Sequence, residues 1–113
     1  MIEVIDFGSI IIDGTRYVSD LIIYPNGQIK ENWWRRSGHT LSLEDISDLI
    51  DANPAAIVAG TGIYGRMQPE TGLEPYLRER GIDFYPQPNL KAQDIFNRLS
   101  TEQPTGACFH LTC

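Results

Sequence analysis

Residues 55–65 read Ala55-Ala56-Ile57-Val58-Ala59-Gly60-Thr61-Gly62-Ile63-Tyr64-Gly65, and the fold turns on them. Ala55 to Ala59 is a small, wholly apolar run without alternation, the pattern of a strand covered on both faces. A helical stripe precedes it: Leu43, Ile46, Leu49 and Ile50 recur at i, i+3, i+6 and i+7 behind Ser42. Ser42 with Asp45 approximates a capping box, and Asn53-Pro54 ends the helix. The apolar run then empties into glycines, where the chain must turn. Helix, covered strand and glycine turn are the parts of an α/β layer.

Upstream, the pattern is strands and turns. Ile2 to Phe7 and Ser9 to Ile12 are apolar and β-branched, and Asp13-Gly14 is a hairpin signal. Thr15 to Tyr24 reads as the next strand, Pro25-Asn26-Gly27 as a turn, and Gln28 to Trp34 as a returning strand. Together these make an antiparallel meander. Downstream, Leu73 to Arg80 is a short helix with Gly81 as its cap. Ile82 to Tyr85 is a strand, and Asn89 caps a last helix with Leu90, Ala92, Ile95, Phe96 and Leu99 as its apolar positions. Ala107 to Cys113 closes as a strand. An antiparallel layer joined to an α/β layer follows.

The chain has 113 residues and reads as one domain, 1–113. Nine Lys and Arg stand against 15 Asp and Glu, a net charge of −6, which argues against nucleic acid and against anionic membrane surfaces. No apolar run approaches the roughly 18 residues of a membrane helix, and the first residues lack a signal-peptide pattern. A cytoplasmic protein is the expectation. Cys108 and Cys113 are too far apart along an extended strand to bond to each other.

Three segments are candidates for chemistry. Gly60-Thr61-Gly62-Ile63-Tyr64-Gly65 matches G-x-G-x-x-G after a strand, but Pro69 and Gly72 interrupt where a dinucleotide-binding helix should begin. Two readings stay open there: a tight turn needing positive φ, or a nest of backbone N–H groups that holds a small anion, with Arg66 adding charge. Trp33-Trp34-Arg35-Arg36 is the second segment. Extended chain puts Trp33 and Arg35 on one face and Trp34 and Arg36 on the other. One Trp enters the core, and the remainder is either a solvated face or a partner surface rich in hot-spot residue types. The third is the pair His39 and His110, with Cys108. It supplies too few ligands for zinc, so no metal is expected. No catalytic constellation and no cofactor motif emerges.

The order of these motifs resembles the Mth-type family of unknown function. The matching residues are Phe7-Gly8, Asp13-Gly14 with Tyr17, Pro25-Asn26-Gly27, Trp34, Gly38-His39, Gly60-Thr61-Gly62, Ala92 to Asn97, and His110 to Cys113. The family includes an adipogenesis-associated protein and an assembly factor of mitochondrial complex I. The resemblance implies a three-layer α/β fold, with a mixed central sheet of about five strands, helices, and an extra N-terminal β-hairpin layer. It brings no catalytic residues. The expectation is a non-enzymatic interaction or assembly-type factor whose partner is another protein, with Trp33, Trp34 and Arg35 as candidate partner surface. The alternative is a small-anion or small-ligand domain, its candidate residues Gly60, Thr61, Gly62, Arg66, Arg36 and Asn97. Asn97 enters on the resemblance and on its place in the last helix.

Overall fold

The N-terminal third forms strands β1 (Ile2–Asp6), β2 (Ser9–Ile12), β3 (Thr15–Tyr17), β4 (Leu21–Ile23) and β5 (Ile29–Lys30) in a computed structural model that describes residues 1–113. A short strand β6 (Thr40–Leu41) leads to a 3-10 turn (Glu44–Ile46) and helix α1 (Ser47–Asp51). Then come β7 (Ala56–Gly60), β8 (Gln68–Pro69), α2 (Leu73–Glu79), β9 (Asp83–Gln87), α3 (Asn89–Leu99) and β10 (Thr105–Phe109).

Strands β1, β2 and β3 make one antiparallel sheet, and a second, mixed sheet has the order β5-β4-β10-β7-β9. Both β7 and β10 are buried at every residue and lie side by side in parallel, as their unbroken apolar character requires. On one face of this central sheet, Ile2, Ile5, Ile10 and Ile12 of the hairpin layer join Ala92, Phe96 and Leu99 of α3. They pack against Leu21, Ile23, Val58 and Phe109. On the other face, Trp33, Ile46, Leu49, Leu73 and Leu77 cover Ile22, Ile57, Ala59 and Cys108. The result is the three-layer α/β fold with a five-stranded mixed sheet and an extra N-terminal hairpin layer. No helix is long and apolar enough to cross a membrane.

Local signals explain the turns. Asp13 and Gly14 both take positive φ, 48° and 82°, the backbone that a two-residue hairpin needs between β2 and β3. At the start of the middle helical segment, Ser42 N–H donates to Asp45 Oδ2 at 2.9 Å and Asp45 N–H donates to Ser42 Oγ at 3.3 Å. The reciprocal box forms with Asp in place of Glu.

Four expectations change. The strand expected over Thr15 to Tyr24 is two, β3 and β4, in different sheets, because the chain crosses between them at Val18-Ser19-Asp20. The strand expected over Gln28 to Trp34 pairs only at Ile29–Lys30, since Asn32 takes φ +54° and Trp33 turns inward, its N–H donating to Asp20 O at 2.9 Å. Asn89 is not a cap: Pro88 holds that position, and Asn89 is the first helical residue, fully buried. Leu90 is 65% exposed, because the buried stripe of α3 runs through Asn89, Ala92, Phe96 and Leu99.

Candidate functional site

The parallel strands β7, β9 and β10 end at one rim of the central sheet, the place where open α/β sheets carry ligands. The loop Gly60 to Arg66 leaves β7 at that rim. Five of its N–H groups are bonded within the chain. Thr61 N–H donates to Gln87 O at 2.9 Å, Gly62 N–H to Asn89 Oδ1 at 3.0 Å, and Ile63 N–H to Thr112 O at 2.8 Å. Gly65 N–H donates to Gly62 O at 3.2 Å and Arg66 N–H to Cys113 O at 3.0 Å. The extended run after β10 therefore lies against this loop. A Cβ on Gly60 would overlap the Phe109 ring, and one on Gly62, at φ +113°, would overlap the Cys113 carbonyl group. These two glycines admit the chain's own ring and backbone.

The structure does not gather the six residues expected around that loop. Gly60, Thr61 and Gly62 are buried in it, while the Arg66 side chain is exposed. Asn97 lies in the hairpin-side layer, where Ile2 N–H donates to Asn97 Oδ1 at 2.8 Å and Asn97 Nδ2 donates to Ile2 O at 2.8 Å. The carboxamide pairs with the free edge of β1 as a neighbouring strand would. Arg36 lies in the opposite layer, its N–H donating to Asp45 Oδ1 at 3.2 Å.

A polar cluster at the same rim went unforeseen. Asp20, just before β4, Arg35 and His110, just after β10, meet on the face covered by α1 and α2. Arg35 Nη1 donates to Asp20 Oδ2 at 2.8 Å, and Leu111 N–H donates to Asp20 Oδ1 at 2.8 Å. His110 Nδ1 lies 2.9 Å from both Asp20 Oδ2 and Arg35 Nη2. A carboxylate only accepts and a guanidinium only donates, so Nδ1 donates to Asp20 when it carries the proton and accepts from Nη2 when it does not, and Nη2 also donates to Gly38 O at 3.1 Å. The remaining ring nitrogen faces Thr112 Oγ1 at 3.4 Å. The Arg35 and His110 side chains are only 6% and 8% exposed. Burial alone would raise the Asp20 pKa; the His110, Leu111 and Arg35 bonds outweigh it and hold the carboxyl below its usual value. No surface groove is lined by Asp20, Arg35 or His110. The cluster works as a lock, tying the 33–38 segment to the starts and ends of two central strands.

That lock sets the Trp-Trp-Arg-Arg segment. The Arg35 guanidinium lies 4.7 Å from the Trp33 ring, and Trp33 Nε1 donates to Asp45 O at 2.8 Å, so both side chains face inward. Alternation then turns Trp34 and Arg36 outward, as the spacing predicts. The indole of Trp34 is left 77% exposed. Of the three residues expected on a partner surface, Trp34 is on it, and Trp33 and Arg35 are the buried anchors beneath. Beside Trp34 opens a groove of about 580 Å³, lined also by Lys30, Arg36, Glu44, Asp45 and Asp48. The cysteines lie elsewhere: Cys113 is partly exposed, and burial pushes the Cys108 thiol up to about 12.

Solved structures share this architecture. A conserved hypothetical protein of Pyrococcus horikoshii OT3 is 24% identical with a TM-score of 0.82, covering 100% of this chain and 99% of that one. A Xanthomonas campestris protein is 22% identical with a TM-score of 0.80, covering 98% of this chain and 83% of that one. A Bartonella henselae protein described as an outer membrane protein is 19% identical with a TM-score of 0.78, covering 99% of this chain and 94% of that one. Likeness at this identity carries the fold alone. The sequence itself carries the family: its model matches residues 2–110, and the chain belongs to the family described as "Protein of unknown function (DUF498/DUF598)".

Proposed function

We propose that this chain is a non-enzymatic interaction module, an assembly-type factor that holds another protein on the face around Trp34. One observation carries the reading: an indole 77% exposed on a segment locked from below by buried Arg35 and Trp33. Exposed large apolar side chains are unremarkable when scattered, but a fixed Trp beside a groove is the form that interaction hot spots take. An indole, with only two rotatable side-chain bonds, also loses little conformational entropy on binding. The resemblance to the Mth-type family, with an assembly factor among its members, points the same way, and a cytoplasmic setting is part of the reading. The small-anion alternative gains no support from a loop in which the Gly62, Ile63 and Arg66 N–H groups are already bonded to Asn89, Thr112 and Cys113.

Trp34→Ala tests the reading. Its stability is expected to change by less than about 0.5 kcal/mol, because the indole is on the surface. Tagged wild type purified from its native cells is expected to bring down a protein partner, and Trp34→Ala to recover at least roughly tenfold less of it, the scale of a hot-spot loss. A partner recovered equally by both forms, or no partner at all, contradicts the reading.

A further inference from the structure

The groove beside Trp34 carries charge of both signs. Glu44, Asp45 and Asp48 stand against Lys30 and Arg36, so one negative charge is unmatched. Asp45 is the fixed member, since its carboxylate accepts the N–H groups of Arg36 and Ser42. The other four are loosely paired: Lys30 with Asp48 at 3.6 Å and Arg36 with Glu44 at 3.9 Å, every side chain at least 49% exposed. Exposed pairs of this kind contribute little, so an incoming charge can exchange with them.

The aromatic side chains add a second observation. Two rings carry a guanidinium of this chain, Trp33 under Arg35 at 4.7 Å and Tyr76 under Arg80 at 4.6 Å. Trp34, the most exposed of the large apolar side chains, has no cation over it. An indole face is the best aromatic surface for a cation. Trp34 thus offers a free face beside carboxylates that can close around an ammonium or guanidinium.

We infer that the groove receives a Lys or Arg side chain from a basic segment of the partner protein, laid on the Trp34 face with Glu44 and Asp48 at its charged end. This rests on the reading of Trp34 as the interaction face and names the chemistry of what docks there. The net charge of −6 steers a basic segment toward the molecule and repels an acidic one. The volume of about 580 Å³ holds one long side chain with its flanking backbone. Displaced from their carboxylates, Lys30 and Arg36 swing into solvent, where both already have their heads.

The test is a titration of the 113-residue chain with acetylated hexalysine, hexaarginine and hexaglutamate amides, read by amide and indole N–H chemical shifts. The indole signals separate, because Trp33 N–H is bonded inside the protein and Trp34 N–H is on the surface. Hexalysine and hexaarginine are expected to shift the Trp34 indole and the amides of residues 44–48 saturably, and more weakly as salt rises. Trp34→Ala and the double variant Glu44→Gln with Asp48→Asn are each expected to weaken binding at least about threefold, as loss of a cation–π contact or of its closing charges implies. Hexaglutamate moving the same signals overturns the basic chemistry, yet leaves an interaction face at Trp34 standing. Shifts spread over the acidic surface and unchanged by Trp34→Ala overturn the groove as the cation's seat, as does no response to any peptide. A cellular partner retained by Trp34→Ala overturns the underlying reading instead.

Discussion

Replacing Asn89 with alanine is expected to destabilise the protein by about 2–6 kcal/mol, since it orphans two buried backbone groups at roughly 1–3 kcal/mol each. Its Oδ1 accepts the Gly62 N–H at 3.0 Å and its Nδ2 donates to His110 O at 2.8 Å, on a residue with no exposed surface. One carboxamide thereby joins the turn after β7 to the chain leaving β10, at the start of α3. Asn89→Asp keeps the acceptor but loses the donor and buries a charge, so it is expected to be no milder. Urea unfolding midpoints measure the effect. A loss under 1 kcal/mol for Asn89→Ala would show that the rim is held by something else.

Asp20 is expected to be the other large effect. Asp20→Asn removes the charge that faces buried Arg35, and breaking one side of a buried pair costs about 3–5 kcal/mol. The pH dependence has a definite sign. Asp20 has its folded pKa below the unfolded value of 3.8, so its contribution is fully present above that range and is lost as pH falls through the lowered folded value. The stability gap between wild type and Asp20→Asn is therefore expected to be widest near neutral pH and to narrow on acidification below about pH 4. Pairing the change with Arg35→Met, an apolar chain for the stranded cation, is expected to recover much of the loss, because an apolar pair replaces a buried ionic one at little cost. Urea titrations at pH 7 and pH 3 decide it. A gap that stays constant or widens toward low pH contradicts the assignment.

The sequence made the layers legible because burial on two faces leaves a mark. Ala55 to Ala59 and Ala107 to Cys113 show it, and both hold central strands, although the second is a strand only over Thr105–Phe109, its remaining residues running on against the glycine loop. The Asp13-Gly14 hairpin and the Ser42–Asp45 box were legible because each depends on residues one to three positions apart. What stayed hidden depends on distant contacts. Ser19-Asp20 reads as two polar residues inside an apolar strand; its meaning comes from Arg35 and His110, 15 and 90 residues away. A charged residue interrupting the run from Thr15 to Tyr24 was the available signal for the crossing between sheets. Asn89 before a helical stripe fits a capping pattern, and only the approach of Gly62 and His110 gives its side chain another use. Alternation alone put Trp33 and Trp34 on opposite faces, although no strand forms there; which of them turns outward is set by the distant contacts of Trp33 and Arg35. The grouping of Arg36 and Asn97 with the glycine loop failed because chain order does not say which side of the sheet a residue faces.

The central claim is that recognition runs through the Trp34 face and not through the rim of the glycine loop. A photocrosslinking residue placed at Ser47, exposed on the groove beside an intact Trp34, and separately at Tyr64, which is 69% exposed on that loop, tests it most directly. Each variant is expressed in native cells, irradiated, and its adducts are identified by mass spectrometry. The account predicts a discrete protein adduct from position 47 and none of comparable yield from position 64. An adduct from position 64 with none from position 47 would contradict it.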